Sequence, residues 1–125
     1  MPRRTVLVVE DDADLRSIFA ANLTIAGFIV REAANGMDAL RLIDSGPPGL
    51  VVLDLGLPHV SGQDVLYELK QHPHTREIPI LVVTGRDGAV APGVDDDCIL
   101  MKPVHPAELV RQVRRCLGLE ADSGL

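Results

Sequence analysis

The sequence predicts an α/β fold built around a parallel sheet. Three observations predict it. Strand-like and helix-like stretches alternate five times along the chain. The strand-like stretches VLVV, LVVL, ILVV and CILM are short, continuous apolar runs, as expected where both faces of a strand are covered. Polar groups stand just past each run: Glu10 and Asp11 after the first, Asp54 after the second, Thr84 after the third and Lys102 after the fourth. The carboxyl ends of parallel strands line one edge of the sheet, where ligands bind. Three acids, a hydroxyl and an ammonium are therefore expected to share one small space.

The elements follow in order. Thr5 to Val9 reads as the first strand. Asp12 is placed to cap the next helix, where Leu15, Ile18, Phe19, Leu23 and Ala26 recur at helical spacing and Gly27 supplies the stop. Phe28 to Ala33 reads as the second strand. Asn35-Gly36 turns into a helix carrying Ala39, Leu40 and Ile43, which the Gly46-Pro47-Pro48-Gly49 stretch breaks. Leu50 to Leu53 is the third strand. A loop with Pro58 and Gly62 leads to a helix carrying Val65, Leu66 and Leu69, on which Tyr67 is expected to pack. Pro79 to Val83 is the fourth strand and Cys98 to Met101 the fifth. Pro106 suits the first turn of a last helix, where its missing N–H costs nothing. That helix should bury Leu109, Val110, Val113 and Leu117 and expose Arg111, Arg114 and Arg115. Between Gly85 and Asp97 a regular array would place another helix. Gly85, Gly88, Pro92 and Gly93 crowd that stretch, and glycine costs ~1 kcal/mol and proline ~3 kcal/mol in a helix interior. The helix between strands four and five is therefore expected to be shortened or irregular.

At 125 residues the chain is one domain's worth, and 46% hydrophobic content is enough for a core. A formal net charge of -6 argues against a nucleic-acid surface, which needs a basic patch. No apolar run approaches the ~20 residues of a membrane span. The start runs straight into a strand with no cleavage site, so a cytoplasmic domain is expected, with no membrane partner. The two cysteines, Cys98 and Cys116, are expected to be buried free thiols, since a chain of this size does not need staples. His72 and His74 flank a proline and read as a solvated loop rather than a metal or phosphodonor site.

The polar cluster points to a chemistry. Mg²⁺ takes oxygen ligands, typically one or two carboxylates plus a phosphate and waters. Asp11 and Asp54 suit that role, and the backbone carbonyl of Gly56 could add a ligand. Bound metal would relieve the mutual repulsion of the acids. A carboxylate such as Asp54 can also attack phosphorus to form an aspartyl-phosphate. Lys102, the Thr84 hydroxyl and the Gly85 amide are placed to neutralise the phosphoryl oxygens in a step governed by positioning and electrostatics. Each piece alone is ordinary cap or loop chemistry; the joint pattern at successive strand ends is not.

The residues VLVVEDDADLR, NGMDAL, VVLDLGLPHVSG, PILVVTG and MKP carry a resemblance over nearly the whole length to the CheY-like receiver domain of two-component response regulators. The resemblance implies a (βα)₅ flavodoxin-like fold with strand order 2-1-3-4-5 over residues 1–118, with 119–125 a frayed tail. It implies that Asp54 is the phospho-acceptor. Asp11, Asp54, the Gly56 carbonyl and, through water, Glu10 would hold Mg²⁺. Thr84, Gly85 and Lys102 would bind the phosphoryl group, with Thr84 as the switch hydroxyl and a cis bond between Lys102 and Pro103. The implied partners are a histidine kinase or histidine phosphotransfer protein and a downstream protein. The implied activity is self-catalysed phosphoryl transfer and slow autodephosphorylation rather than enzymatic turnover.

Two departures stand out. The switch position three before the lysine, aromatic in relatives, is Ile99, a side chain that cannot flip as a ring. The Thr84–Lys102 stretch is shorter than the family norm by about four residues, roughly one helical turn. These departures raise a second reading, a receiver-like scaffold or binding module no longer controlled by phosphorylation. A phosphatase of the haloacid-dehalogenase kind is a third, opposed by Gly56 where such enzymes carry a second aspartate.

Overall fold

The computed structural model describes residues 4–57, 61–85 and 98–119. Among these the order is β1 (Thr5–Val9), α1 (Ala13–Ile25), β2 (Ile29–Ala33), α2 (Gly36–Ser45), β3 (Leu50–Asp54), α3 (Gly62–Gln71), β4 (Ile80–Thr84), β5 (Ile99–Met101) and α4 (Pro106–Cys116). The strands form one parallel sheet in the order β2-β1-β3-β4-β5, the flavodoxin-like order expected. Pro58, the stretch 86–97 with its expected irregular helix, and residues 120–125 of the expected tail lie outside the described residues.

Strand alternation divides the core in two. Val6, Val8, Leu50, Val52, Leu81, Val83 and Leu100 face one side and pack with Phe19 and Leu23 of α1 and Leu109 and Val113 of α4. Leu7, Val9, Val51, Leu53, Ile80 and Val82 face the other and pack with Ala39 and Ile43 of α2 and Val65, Leu66 and Leu69 of α3. Burial on both faces is why these strands read as continuous apolar runs.

Local chemistry sets the helix ends. The Asp12 carboxylate caps α1 by accepting the Leu15 N–H at 3.0 Å, and Asn35 caps α2 through the Asp38 N–H at 2.8 Å. A reciprocal box between Ser61 and Asp64 opens α3. Gly27 follows α1 at φ 104°, a conformation that costs glycine little. Its N–H donates to Thr24 O and that of Phe28 to Leu23 O, the paired bonds of a Schellman closure. The same closure ends α4, with Gly118 N–H on Arg115 O and Leu119 N–H on Arg114 O at 2.8 Å. Arg31 of β2 donates to the carbonyls of Leu42 and Gly46, satisfying the open end of α2.

Several expectations need correction. Cys98 and Cys116 are joined as a disulfide with Cα atoms 6.0 Å apart, so they are not free thiols. Folding brings the start of β5 beside the last residue of α4, a proximity that their 18-residue separation does not reveal. Tyr67 is 64% exposed and Ile18 46% exposed. Both lie off the buried stripe of their helices, which runs through Val65, Leu66 and Leu69 in α3 and Phe19, Ala20 and Leu23 in α1. Phe28 is buried but precedes the β2 ladder, because its N–H is committed to closing α1. His72 caps the end of α3, and His72 and His74 are both exposed, as a solvated loop requires. Arg111, Arg114 and Arg115 are exposed as expected.

Candidate functional site

The site lies at the carboxyl ends of β1, β3, β4 and β5. Glu10 follows β1 and is pinned twice through its backbone: its N–H donates to Ala33 O at 3.1 Å, and Arg16 Nη1 donates to its carbonyl at 2.8 Å. Its carboxylate turns inward and is 1% exposed as a residue. Oε2 accepts the Asp12 N–H at 3.2 Å, whereas Oε1 has no hydrogen-bond partner. Asp54 closes β3 and is 3% exposed. Its Oδ1 accepts the Gly56 N–H at 2.9 Å, and its Oδ2 meets Lys102 Nζ at 3.2 Å. Lys102 Nζ also stands 3.5 Å from Glu10 Oε1.

Carboxylate oxygens of Glu10, Asp11 and Asp54 lie within 4.8 Å of one another, with Asp11 on the solvent side. Burial, and then the charge of Asp54, push the Glu10 carboxyl up to about 7. For Lys102, burial alone would lower the ammonium, but the charges of Asp54 and Glu10 outweigh it and leave its pKa raised. The cluster thus holds more negative charge than one ammonium balances. The Glu10 oxygen that meets Lys102 only as an ion pair, with no hydrogen bond, stands beside two further acids, a set that fits a hard divalent cation.

Thr84 ends β4, is 5% exposed, and donates its hydroxyl to the Gly85 carbonyl at 3.4 Å. The Lys102 N–H donates to the Thr84 carbonyl at 2.8 Å, continuing the β4–β5 ladder. The Lys102–Pro103 peptide is cis. Ile99 is half-buried, pairs with Val82 and packs on the α2/α3 side of the sheet.

A family model for the response regulator receiver domain matches residues 6–114. The chain belongs to this family. The receiver is 33% identical over 123 residues to the phosphate regulon transcriptional regulatory protein PhoB of Pseudomonas aeruginosa, covering 94% of this chain and 53% of that protein. It is also 33% identical to an uncharacterised 14.6 kDa protein from the sodA1 3′ region of Leptolyngbya boryana, covering 94% of each. Among solved structures, NtrX from Brucella abortus superposes with a TM-score of 0.82 at 28% identity, over 95% of this chain and 28% of that one. The chain spans about half the length of most curated relatives it matches.

The acids, hydroxyl, glycines and ammonium expected from the sequence fall at the same sheet edge, whereas Ile99, the expected switch position, sits at the start of β5 away from it. Glu10, Asp11 and Asp54 are in mutual reach, Lys102 reaches Glu10 and Asp54, and Thr84 and Gly85 stand at the end of the adjoining strand. Two further residues shape the site. Arg16 holds the Glu10 backbone and pairs with Glu32 at 3.4 Å. Gly62, the first residue of α3, lies so close to the end of β3 that a Cβ there would sit 2.6 Å from Leu55 Cα and strike the Asp54 carbonyl. The Ser61–Asp64 capping signature marks the start of α3, but only the tertiary packing shows that its first residue must be glycine.

Proposed function

We propose that this receiver accepts a phosphoryl group on Asp54 from the phosphohistidine of a histidine kinase or phosphotransfer protein, and signals through a change in its affinity for a protein partner. The observation that carries the reading is the setting of Asp54. A buried carboxylate has one oxygen on a backbone amide and the other 3.2 Å from an ammonium, with two further acids alongside. Asp11, Asp54, the Gly56 carbonyl and, through water, Glu10 would hold Mg²⁺, which when bound screens the acids and the phosphoryl oxygens.

The Asp54 carboxylate attacks phosphorus and forms the new P–O bond. The P–N bond to the donor histidine breaks, and its electron pair returns to the imidazole, whose other nitrogen carries the proton that makes it a neutral leaving group. Lys102 neutralises one equatorial oxygen. Thr84 turns its hydroxyl from the Gly85 carbonyl, a 3.4 Å bond that is weak and easily given up, toward a second oxygen. The Gly85 amide can meet the same group. Hydrolysis of the acyl phosphate by water resets the protein, so the receiver acts on its own aspartate rather than turning over an external substrate. In this reading the domain spans residues 1–118 and works in the cytoplasm.

Intact-mass analysis after treatment with phosphoramidate tests this. Wild type gains one phosphoryl group only with Mg²⁺, and Asp54→Asn gains none. Equal Mg²⁺-dependent labelling of both proteins would refute Asp54 as acceptor. Ile99 keeps the second reading alive, because a β-branched aliphatic at the switch position cannot reorient as a ring does. Partner affinity with and without beryllofluoride separates the two, since a ligand shifts only states it discriminates between.

A further inference from the structure

The disulfide has no role in the phosphoryl chemistry, yet it is placed where it would matter mechanically. Cys98 immediately precedes β5, and Cys116 is the last residue of α4. β5 is three residues long and lies at the edge of the sheet, paired among the described residues with β4 alone, through Ile99, Leu100 and Met101. Such a strand has few ladder bonds to hold it and sits at the low end of local stability. Lys102 follows it directly. α4, by contrast, is anchored by Leu109 and Val113, which are fully buried in the core cluster that also holds Val83 and Leu100. The covalent link therefore fastens the shortest strand of the sheet, the one that delivers Lys102, to a helix seated in the core.

Both cysteines are only partly buried, packed at the margin of that core cluster rather than within it. A domain with two packed core faces does not depend on a staple to fold. In a reducing compartment a disulfide is typically transient and redox-sensing rather than structural.

We propose that Cys98 and Cys116 form a reversible dithiol–disulfide site that clamps β5 to α4 when oxidised and releases it when reduced. The oxidant class is a low-molecular-weight disulfide. One protein thiolate attacks it, forming a mixed disulfide and expelling one thiol. The second protein thiolate then attacks the protein sulfur of that mixed disulfide and expels the second thiol. Two electrons and two protons pass from the cysteine pair to the disulfide, which leaves as two thiols. Reduction runs the same steps backwards.

The full chain, equilibrated in glutathione buffers spanning cytosolic to secretory poise, is acid-quenched, alkylated and mapped by peptide mass spectrometry. Both cysteines should gain and lose the label together across that range. Amide hydrogen exchange in the oxidised and reduced forms gives the mechanical readout. Amides of residues 99–102 and 114–117 should exchange on the order of tenfold faster after reduction, with α2 and α3 unchanged. The double variant Cys98→Ser/Cys116→Ser should match the reduced protein in every buffer, and if it does not fold the reduced wild type alone decides. A disulfide that persists in the most reducing buffer, one that never forms in the most oxidising buffer, or equal exchange in the two states would each overturn the proposal.

Discussion

Replacing Gly62 with alanine sets two familiar effects against each other. Helix propensity favours alanine over glycine by ~1 kcal/mol in a helix interior. Gly62 is the first residue of α3, where only part of that gain applies. Against it, the new methyl would lie 2.6 Å from Leu55 Cα and closer still to the Asp54 carbonyl oxygen. Non-bonded carbons rest at about 3.5–4 Å, so the approach of α3 to β3 must open by roughly 1 Å. The obstructing atoms are backbone, with no flexible side chain to yield. Overpacking costs about 1–3 kcal/mol, and a clash with backbone belongs at the upper end, so after the partial propensity gain the net loss should be about 2 kcal/mol. At roughly 4 °C per kcal/mol for a domain of this size, Tm falls by about 8 °C. Thermal and urea unfolding measure it, with an unchanged m value. Because the clash falls on Asp54 itself, phosphoryl uptake should slow as well. A variant as stable as wild type, or more so, would show that propensity wins and that the glycine is not required by packing.

Other outcomes follow from the charge cluster. The Glu10 carboxyl, raised from 4.5 to about 7, holds a proton in the folded chain that the unfolded chain has already released. This group therefore makes stability fall as pH rises from about 4.5 to 7, with no further change above that. Cation binding must displace that proton below pH 7, so the stabilisation by Mg²⁺, read as a shift in the urea midpoint, should be larger at pH 8 than at pH 6. Equal shifts at both pH values would contradict the assignment. Asp54→Asn removes the neighbouring charge and should lower the Glu10 pKa, followed by carboxyl ¹³C NMR. Glu10 should nevertheless stay above 4.5, because burial is the larger cause. A Glu10 titration unmoved by the substitution would mean that the two carboxylates do not sense each other.

The fold was legible because both faces of the sheet are covered, which writes β1, β3 and β4 as unbroken apolar runs. The site was legible because Glu10, Asp54, Thr84 and Lys102 each punctuate such a run. The rest depended on distances that no local pattern encodes. The Cys98–Cys116 bond joins two elements through the third dimension, and the steric demand at Gly62 comes from the backbone of another strand. Arg31, within a strand, is explained only by the two carbonyls of α2 that it meets. Tyr67 is different: counting from Val65, Leu66 and Leu69 already puts it on the outer face of α3, so its exposure was readable from spacing alone.

Borohydride reduction of the phosphorylated protein, followed by peptide mass spectrometry, addresses the central assignment most directly. An acyl phosphate on aspartate is converted to homoserine, which marks the acceptor within the peptide. After treatment with phosphoramidate and Mg²⁺, homoserine should appear at position 54, and it should vanish when the metal is chelated. Homoserine at position 11 with Asp54 unreacted, or stable phosphate on His72 or His74 in its place, would contradict the account.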